Sequence, residues 1–242
     1  MIVGIHQPHY FPWMGYFDKM AKSDKFILLD EVQMEKGSYM YRNRILNSQG
    51  KIVYLTISGD KHGFIDKKYK DIVSTNDEEW LLKQRNEIER AYKGSPYYPE
   101  VLDKIGDLFD TKEETICAYC VRSVLRLREL LGITTEIVMQ SDLEIDDTVK
   151  KNDLVLSLCK AVGADRYLSG NGAKKYTVES SFEEKGIELR YQRFVPPEYS
   201  QLHTRIFTPG LSMLDVLFNC GIGQTRTLFW DANNAEKEFT LR

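Results

Sequence analysis

The chain lacks a long apolar run: no stretch reaches the roughly 18 residues that a membrane span requires, and no basic segment leading into a long apolar stretch opens it, so no signal peptide is read. Cysteine is sparse. Cys117, Cys120, Cys159 and Cys220 are the four in 242 residues, too few for a disulfide scaffold and ordinary for a reducing compartment. Charge of one sign is lacking too. Against 33 Lys and Arg stand 36 Asp and Glu, a net charge of −3, which supplies no global field to hold nucleic acid. DNA is therefore not expected as a partner, and RNA would need a local basic patch. No Rossmann G-x-G-x-x-G, Walker loop, serine nucleophile elbow or zincin motif is present. Cys117-x-x-Cys120 has no second pair at zinc spacing, so no metal is assigned and the two thiols read as core packing on one helix face. These absences predict a cytoplasmic protein whose residues 1–242 form a single α/β domain.

What is there is strand and helix in alternation. MIVGI reads as a buried strand, 13–22 as a helix with Pro12 in its first turn, and KFILLDEV as a second strand. That is a βαβ unit with an expected right-handed crossover. Residues 39–46 and 51–57 are rich in β-formers around Asn47-Ser48-Gln49-Gly50, a hairpin signal. After the basic loop GDKHGFIDKKYKDI come helical stretches at 78–92, 97–109 and 113–131, with an N-cap expected at 110–113 and Gly132 as terminator. A strand at 134–139, a helix at 153–162, a short strand at 166–168, a helix at 176–185 and a strand at 187–190 follow. Ser212 and Asp215 read as a capping-box pair ahead of MLDVLFNCG, with a further segment at 224–230 and a loosely held polar tail. The predicted fold is a mainly parallel, HUP/Rossmann-like sheet carrying a β-hairpin and an inserted or appended helical subdomain at 77–132.

In open α/β sheets, ligands bind beyond the carboxyl ends of strands. HQPHYFPW leaves the first strand there, and the next helix aims its free N–H groups at the same mouth. His6 and His9 carry the H-x-x-H spacing of HIGH-type nucleotidyl transferases, whose imidazoles stabilise charge growing on a triphosphate. A packed Pro-aromatic turn is the plainer alternative. Asp30 and Gln33 end the second strand at the same edge, where an acid can orient an amine or a metal. Arg42 and Arg44, flanking Asn43, share one strand face and suit phosphate or carboxylate, although an outward charged face explains them as well. Ser169 and Gly170 open a small, glycine-bearing loop that lets backbone approach a ligand. Tyr199 and His203 lie in the irregular stretch FVPPEYSQLHTRIFTPGLS, His203 as a candidate acid or base.

The blocks HQPHYFPWMGYFDKM, YRNRI, YLSGNGAKKY and YSQLHTRIFTPGLSMLDVLFNCG, spread from residue 5 to 223, resemble the WbqC-like protein family. The resemblance implies a role in bacterial surface-polysaccharide and amino-sugar chemistry, as in O-antigen assembly. It implies attachment of an acyl or aminoacyl group to an amino-sugar nucleotide by an amide bond. Gln7, Tyr10, Trp13 and Lys19 of the first block join Gln33, Arg42, Asn43, Arg44, Ser169, Gly170 and Tyr199 in the expected substrate-binding set. The strand, H-x-x-H, helix, strand order is also similar to pantothenate synthetase and other HIGH-type adenylyl transferases. Here Pro8 replaces the usual glycine and no KMSKS-like loop is seen. If the acyl donor is a free acid, ATP and Mg²⁺ are implied. A thioester or an aminoacyl-tRNA needs neither. Plain nucleotidyl transfer and a non-catalytic sugar-nucleotide-binding module are the alternatives.

Overall fold

A computed structural model of the chain describes residues 1–60, 66–175 and 177–239, the last four of these in backbone only. Residues 61–65 of the expected basic loop, and Tyr176, lie outside the described residues.

Near-continuous apolar strands are what a sheet covered on both faces requires. β1 (Ile2–His6) and β2 (Lys25–Leu28) pair in parallel through α1 (Met14–Ala21), with His6 opposite Leu28. The chain then leaves the sheet for an antiparallel hairpin, β3 (Arg42–Leu46) and β4 (Ile52–Thr56). Three helices follow, α2 (Glu78–Tyr92), α3 (Tyr98–Ile105) and α4 (Ile116–Leu131). It returns as β5 (Glu136–Met139), α5 (Asn152–Ala161), β6 (Arg166–Ser169), α6 (Glu179–Glu184) and β7 (Glu188–Tyr191). It closes with α7 (Met213–Phe239), kinked at Gly221.

All neighbours in the five-stranded sheet are parallel, in the order β5-β2-β1-β6-β7. Counted along the sheet alone this is the doubly wound order of dinucleotide-binding folds, reversing between β1 and β6. Alternation assigns the faces. Phe26 and Leu28 point into the larger core with α1, the hairpin, α2–α4 and α7. Val3, Ile5 and Ile27 point into the smaller core with Leu156, Cys159 and Phe182 of α5 and α6. The chain thus departs from β1 toward one face and from β6 toward the other. The crevice between those departures is bounded by His6 and Ser169. His6 shares the parity of Gly4, so its ring falls on the α1 face.

Three local expectations are corrected. The N-cap of α4 is Thr115, whose hydroxyl accepts from Ala118 N at 3.2 Å. The pair Ser212 and Asp215 forms no reciprocal box: Ser212 N donates to Arg44 O at 2.9 Å, and Asp215 turns inward to Tyr92, Tyr199 and Gln201. The polar tail is not loose at its start. Gly221 breaks the helix with φ +74, the second half runs on to Phe239, and buried Asn233 donates to Asp18 Oδ1 at 2.8 Å. Gly132 terminates α4 in the left-handed conformation as expected.

Candidate functional site

The loop from His6 to Trp13 is held at every carbonyl. His6 O accepts from Leu29 N, Gln7 O from the Tyr16 hydroxyl and Pro8 O from the Tyr69 hydroxyl. His9 O accepts from Ser123 Oγ, and Asn43 Nδ2 donates to Tyr10 O at 3.0 Å and to Phe11 O at 2.8 Å. Phe11 O also accepts from Ser212 Oγ, Pro12 O from Met213 N and Trp13 O from Tyr16 N. Phe11 sits at φ +41, a strained value for an aromatic residue, and its N–H donates to Ser123 Oγ at 3.0 Å. Strain of that kind costs about 1–3 kcal/mol and persists only where surrounding contacts over-determine it. Here β3, α4 and the start of α7 all grip the same residue.

That frame presents the two imidazoles to each other. Their centroids lie 4.4 Å apart, edge to face, and the Tyr16 ring lies 4.9 Å from His6 and 5.5 Å from His9. Tyr39 stands 5.9 Å from His9 and 37% exposed. His6 Nδ1 lies 3.1 Å from Gln7 O. A carbonyl only accepts, so Nδ1 carries the proton and Nε2 keeps its lone pair. Beneath them Lys19 is buried, its ammonium donating to Ile5 O at 2.8 Å.

No carboxylate among the described residues contacts these three basic groups. Burial pushes His6 well below the ordinary imidazole value, with Lys19 and His9 adding repulsion. Burial and Lys19 bring His9 down to about 3, and burial alone brings Lys19 down to about 7. Both rings are neutral at pH 7. A negative charge placed against them would favour their protonated forms and raise both values. The cluster can therefore take a proton while an anion settles beside it.

Other expected residues sit elsewhere. Tyr10 and Asn43 are buried: the Tyr10 ring packs on Phe11, and Asn43 holds the loop instead of facing the mouth. Lys19 is likewise sealed beneath it, since its charge is satisfied by the end of β1. Asp30 is buried, its two oxygens accepting from Ser141 N at 3.0 Å and Ser141 Oγ at 2.6 Å. Gln33 is exposed on a backbone bridge to Lys68. Trp13 packs edge-on against Phe194. With Pro196, Pro197, Tyr199, Phe207 and Met213 it lines a narrow groove that contains neither histidine. Tyr199 gives its hydroxyl to Asp215. His203 has φ +68, and its Nε2 lies 2.9 Å from Ala91 O beside the hairpin turn at Gly50. The structure therefore does not bring His203 to the histidine pair. Ser169 is buried at the end of β6, and Gly170 follows it half-buried. Gln7 stays half-buried in the loop.

Of the basic loop, the described lysines are engaged. Lys67 pairs with Asp60, Lys68 with Glu31 and Asp147, and Lys70 with Glu31. Cys117 and Cys120 are buried in the core, and Cys120 Sγ lies 3.0 Å from Met40 O. No group of three or more His, Cys, Asp or Glu that could hold a metal occurs among the described residues. No described helix is long and apolar enough to cross a membrane. Sequence reasoning missed Tyr16, Tyr39, Tyr69 and Ser123. Tyr16 was legible, three residues into the helix behind the loop. The other three arrive from distant elements.

A doubly wound parallel sheet with a histidine pair and aromatic rings at its switch point defines an α/β protein, and comparison places it further. The model of the WbqC-like protein family matches residues 7–227, and the chain belongs to that family. The uncharacterized protein Rv1507c of Mycobacterium tuberculosis is 30% identical over 221 residues, covering 90% of this chain and 94% of its own length. No solved structure matches the chain. Family membership is consistent with a role in polysaccharide biosynthesis.

Proposed function

We propose that this protein is an acyl- or aminoacyl-transferase that forms an amide on an amino-sugar nucleotide. A sugar amine must shed a proton as it attacks an acyl carbon, and the carbonyl oxygen gains negative charge in the same step. The observation that carries the reading is the His6–His9 pair, neutral, in mutual contact and without a carboxylate partner among the described residues, at the carboxyl end of β1. A neutral imidazole takes the amine proton. The resulting imidazolium stands beside the oxyanion, whose charge also lifts the imidazole toward the basicity the step needs. His203 is not used. Lys19 acts through the histidines, as a positioning residue. As the oxyanion collapses the acyl–donor bond breaks, and the imidazolium returns its proton to the departing group, which is AMP if a free acid has been activated with ATP and Mg²⁺, or the thiol or hydroxyl of a preformed thioester or aminoacyl ester. The donor decides which.

The test offers the protein an amino-sugar nucleotide with candidate acids and ATP, or with acyl thioesters, and follows amide product by mass. Amide formation that disappears in His6→Ala and His9→Ala, with melting unchanged, supports the proposal. Pyrophosphate release without amide would make the protein a nucleotidyltransferase. Sugar nucleotide bound but never turned over with any donor would make it a binding module.

A further inference from the structure

The outer face of the hairpin carries a pattern that the histidine mouth does not explain. Arg42 and Arg44 share that face, and neither meets a carboxylate among the described residues. Elsewhere in the chain, Arg122 and Arg126 share Asp107. Each hairpin guanidinium is seated on a glycine carbonyl: Arg42 Nη2 donates to Gly37 O at 2.7 Å and Arg44 Nη2 to Gly210 O at 2.8 Å. Gly37 has φ +79 and Gly210 φ +69, conformations that favour glycine. A Cβ on Gly210 would lie 3.0 Å from the Arg44 guanidinium. Aromatic rings complete the seating. The Arg42 guanidinium carbon lies 4.4 Å from the Tyr54 ring centre and 5.8 Å from Tyr41, and that of Arg44 lies 5.8 Å from Tyr39. The Nε of each arginine is buried without a hydrogen-bond partner.

Two cations oriented by neutral carbonyls and π-faces keep their full charge for something outside the chain. Tyr54 is 47% exposed, stands opposite Arg44 in the hairpin register, and offers a flat ring beside the Arg42 cation. From Arg44 the line passes over Tyr39 to His9, 5.9 Å further on.

We propose that the outer face of the hairpin is a nucleoside-diphosphate subsite, with the diphosphate across Arg42 and Arg44, the base against Tyr54, and the attached sugar directed over Tyr39 to the histidines. The inference rests on the sugar-nucleotide reading above and deepens it by fixing which end of the substrate lies where. The arginines match diphosphate oxygens as bidentate donors, and an exposed ring supplies base stacking that tolerates different bases.

The test is calorimetric titration of the full chain with UDP. Arg42→Gln and Arg44→Gln should each weaken UDP binding about tenfold or more. Tyr54→Ala should weaken it several-fold, and His9→Ala should leave it within about twofold, because UDP ends short of the histidines. Arg44→Lys keeps charge without the fork, so it separates lost recognition from a fold upset by losing the Gly210 contact. UDP affinity unchanged in Arg42→Gln and Tyr54→Ala overturns the subsite, as does the absence of UDP binding or a preference for single-stranded RNA over UDP on this face. The two readings fail separately. UDP held through Arg42 and Tyr54 with no amide product leaves the subsite standing and removes the transferase. Amide product unaffected by these changes does the reverse.

Discussion

Two loops leave neighbouring parallel strands at one sheet edge, and they treat charge in opposite ways. After β2, the two acids at the strand end both have protein partners: Asp30 is closed by Ser141, Glu31 lies between Lys68 and Lys70, and Lys68 reaches on to Asp147. After β1, three basic groups lie together with no carboxylate partner among the described residues, and burial lowers the basicity of each. The first loop is explained by its own contacts. The second carries an electrostatic cost that the protein alone does not offset, and such sites are where ligand chemistry concentrates. The contrast also shows why adjacency at a sheet edge did not make Asp30 a partner of His6 and His9.

The largest expected effect separates the two loops by activity. His6→Ala and His9→Ala should each cut amide formation by about 10²–10⁴-fold, the usual contribution of a positioned proton acceptor, while Asp30→Asn leaves turnover unchanged. Equal losses in all three would erase the distinction; a product-forming assay on the three variants, each checked by melting, decides it. Next in size is the frame. Asn43→Ala strips the donor from two buried carbonyls and should cost about 2 kcal/mol in chemical denaturation, with a lesser fall in turnover because the strained Phe11 can relax. A variant as stable as the parent would show that the loop holds itself.

Acid sensitivity sharpens the comparison further. His6 and His9 have folded values below their unfolded one, so the unfolded state binds more protons below about pH 6.5. Their stabilising effect is full above that pH and is lost as pH falls toward His9's value of about 3. Denaturation midpoints should therefore fall from pH 6.5 downward, and a His9→Gln variant should show a shallower decline. Lys19→Met should raise both histidine titrations, because the repulsive neighbour is gone. The smallest effect belongs to the β2 side, where Lys68→Met should leave the denaturation midpoint essentially unchanged, as for other exposed ion pairs.

Much of this was legible in the residues. The βαβ start, the hairpin and the limits of α2 follow from apolar periodicity and turn chemistry, which are local. The position of HQPHYFPW at a strand end followed from chain order alone. What was not legible depends on chain brought from afar. Ser123, Tyr69 and Ser212 reach the loop across more than 60 residues, and nothing near residue 11 announces them. Asn43 read as a ligand contact because its neighbours are arginines, yet strand parity turns it inward while Arg42 and Arg44 face out. His203 was a candidate acid or base on its chemistry alone, whereas a backbone carbonyl on α2 occupies its ring.

The most direct test of the histidine mouth is an NMR titration of His6 and His9 in the free protein and in the presence of inorganic phosphate, a stand-in for the oxyanion. Both imidazoles should stay neutral through pH 6 when free, and phosphate should move both midpoints upward. Midpoints near 6.5 in the free protein, or no response to phosphate, would contradict a mouth built short of negative charge.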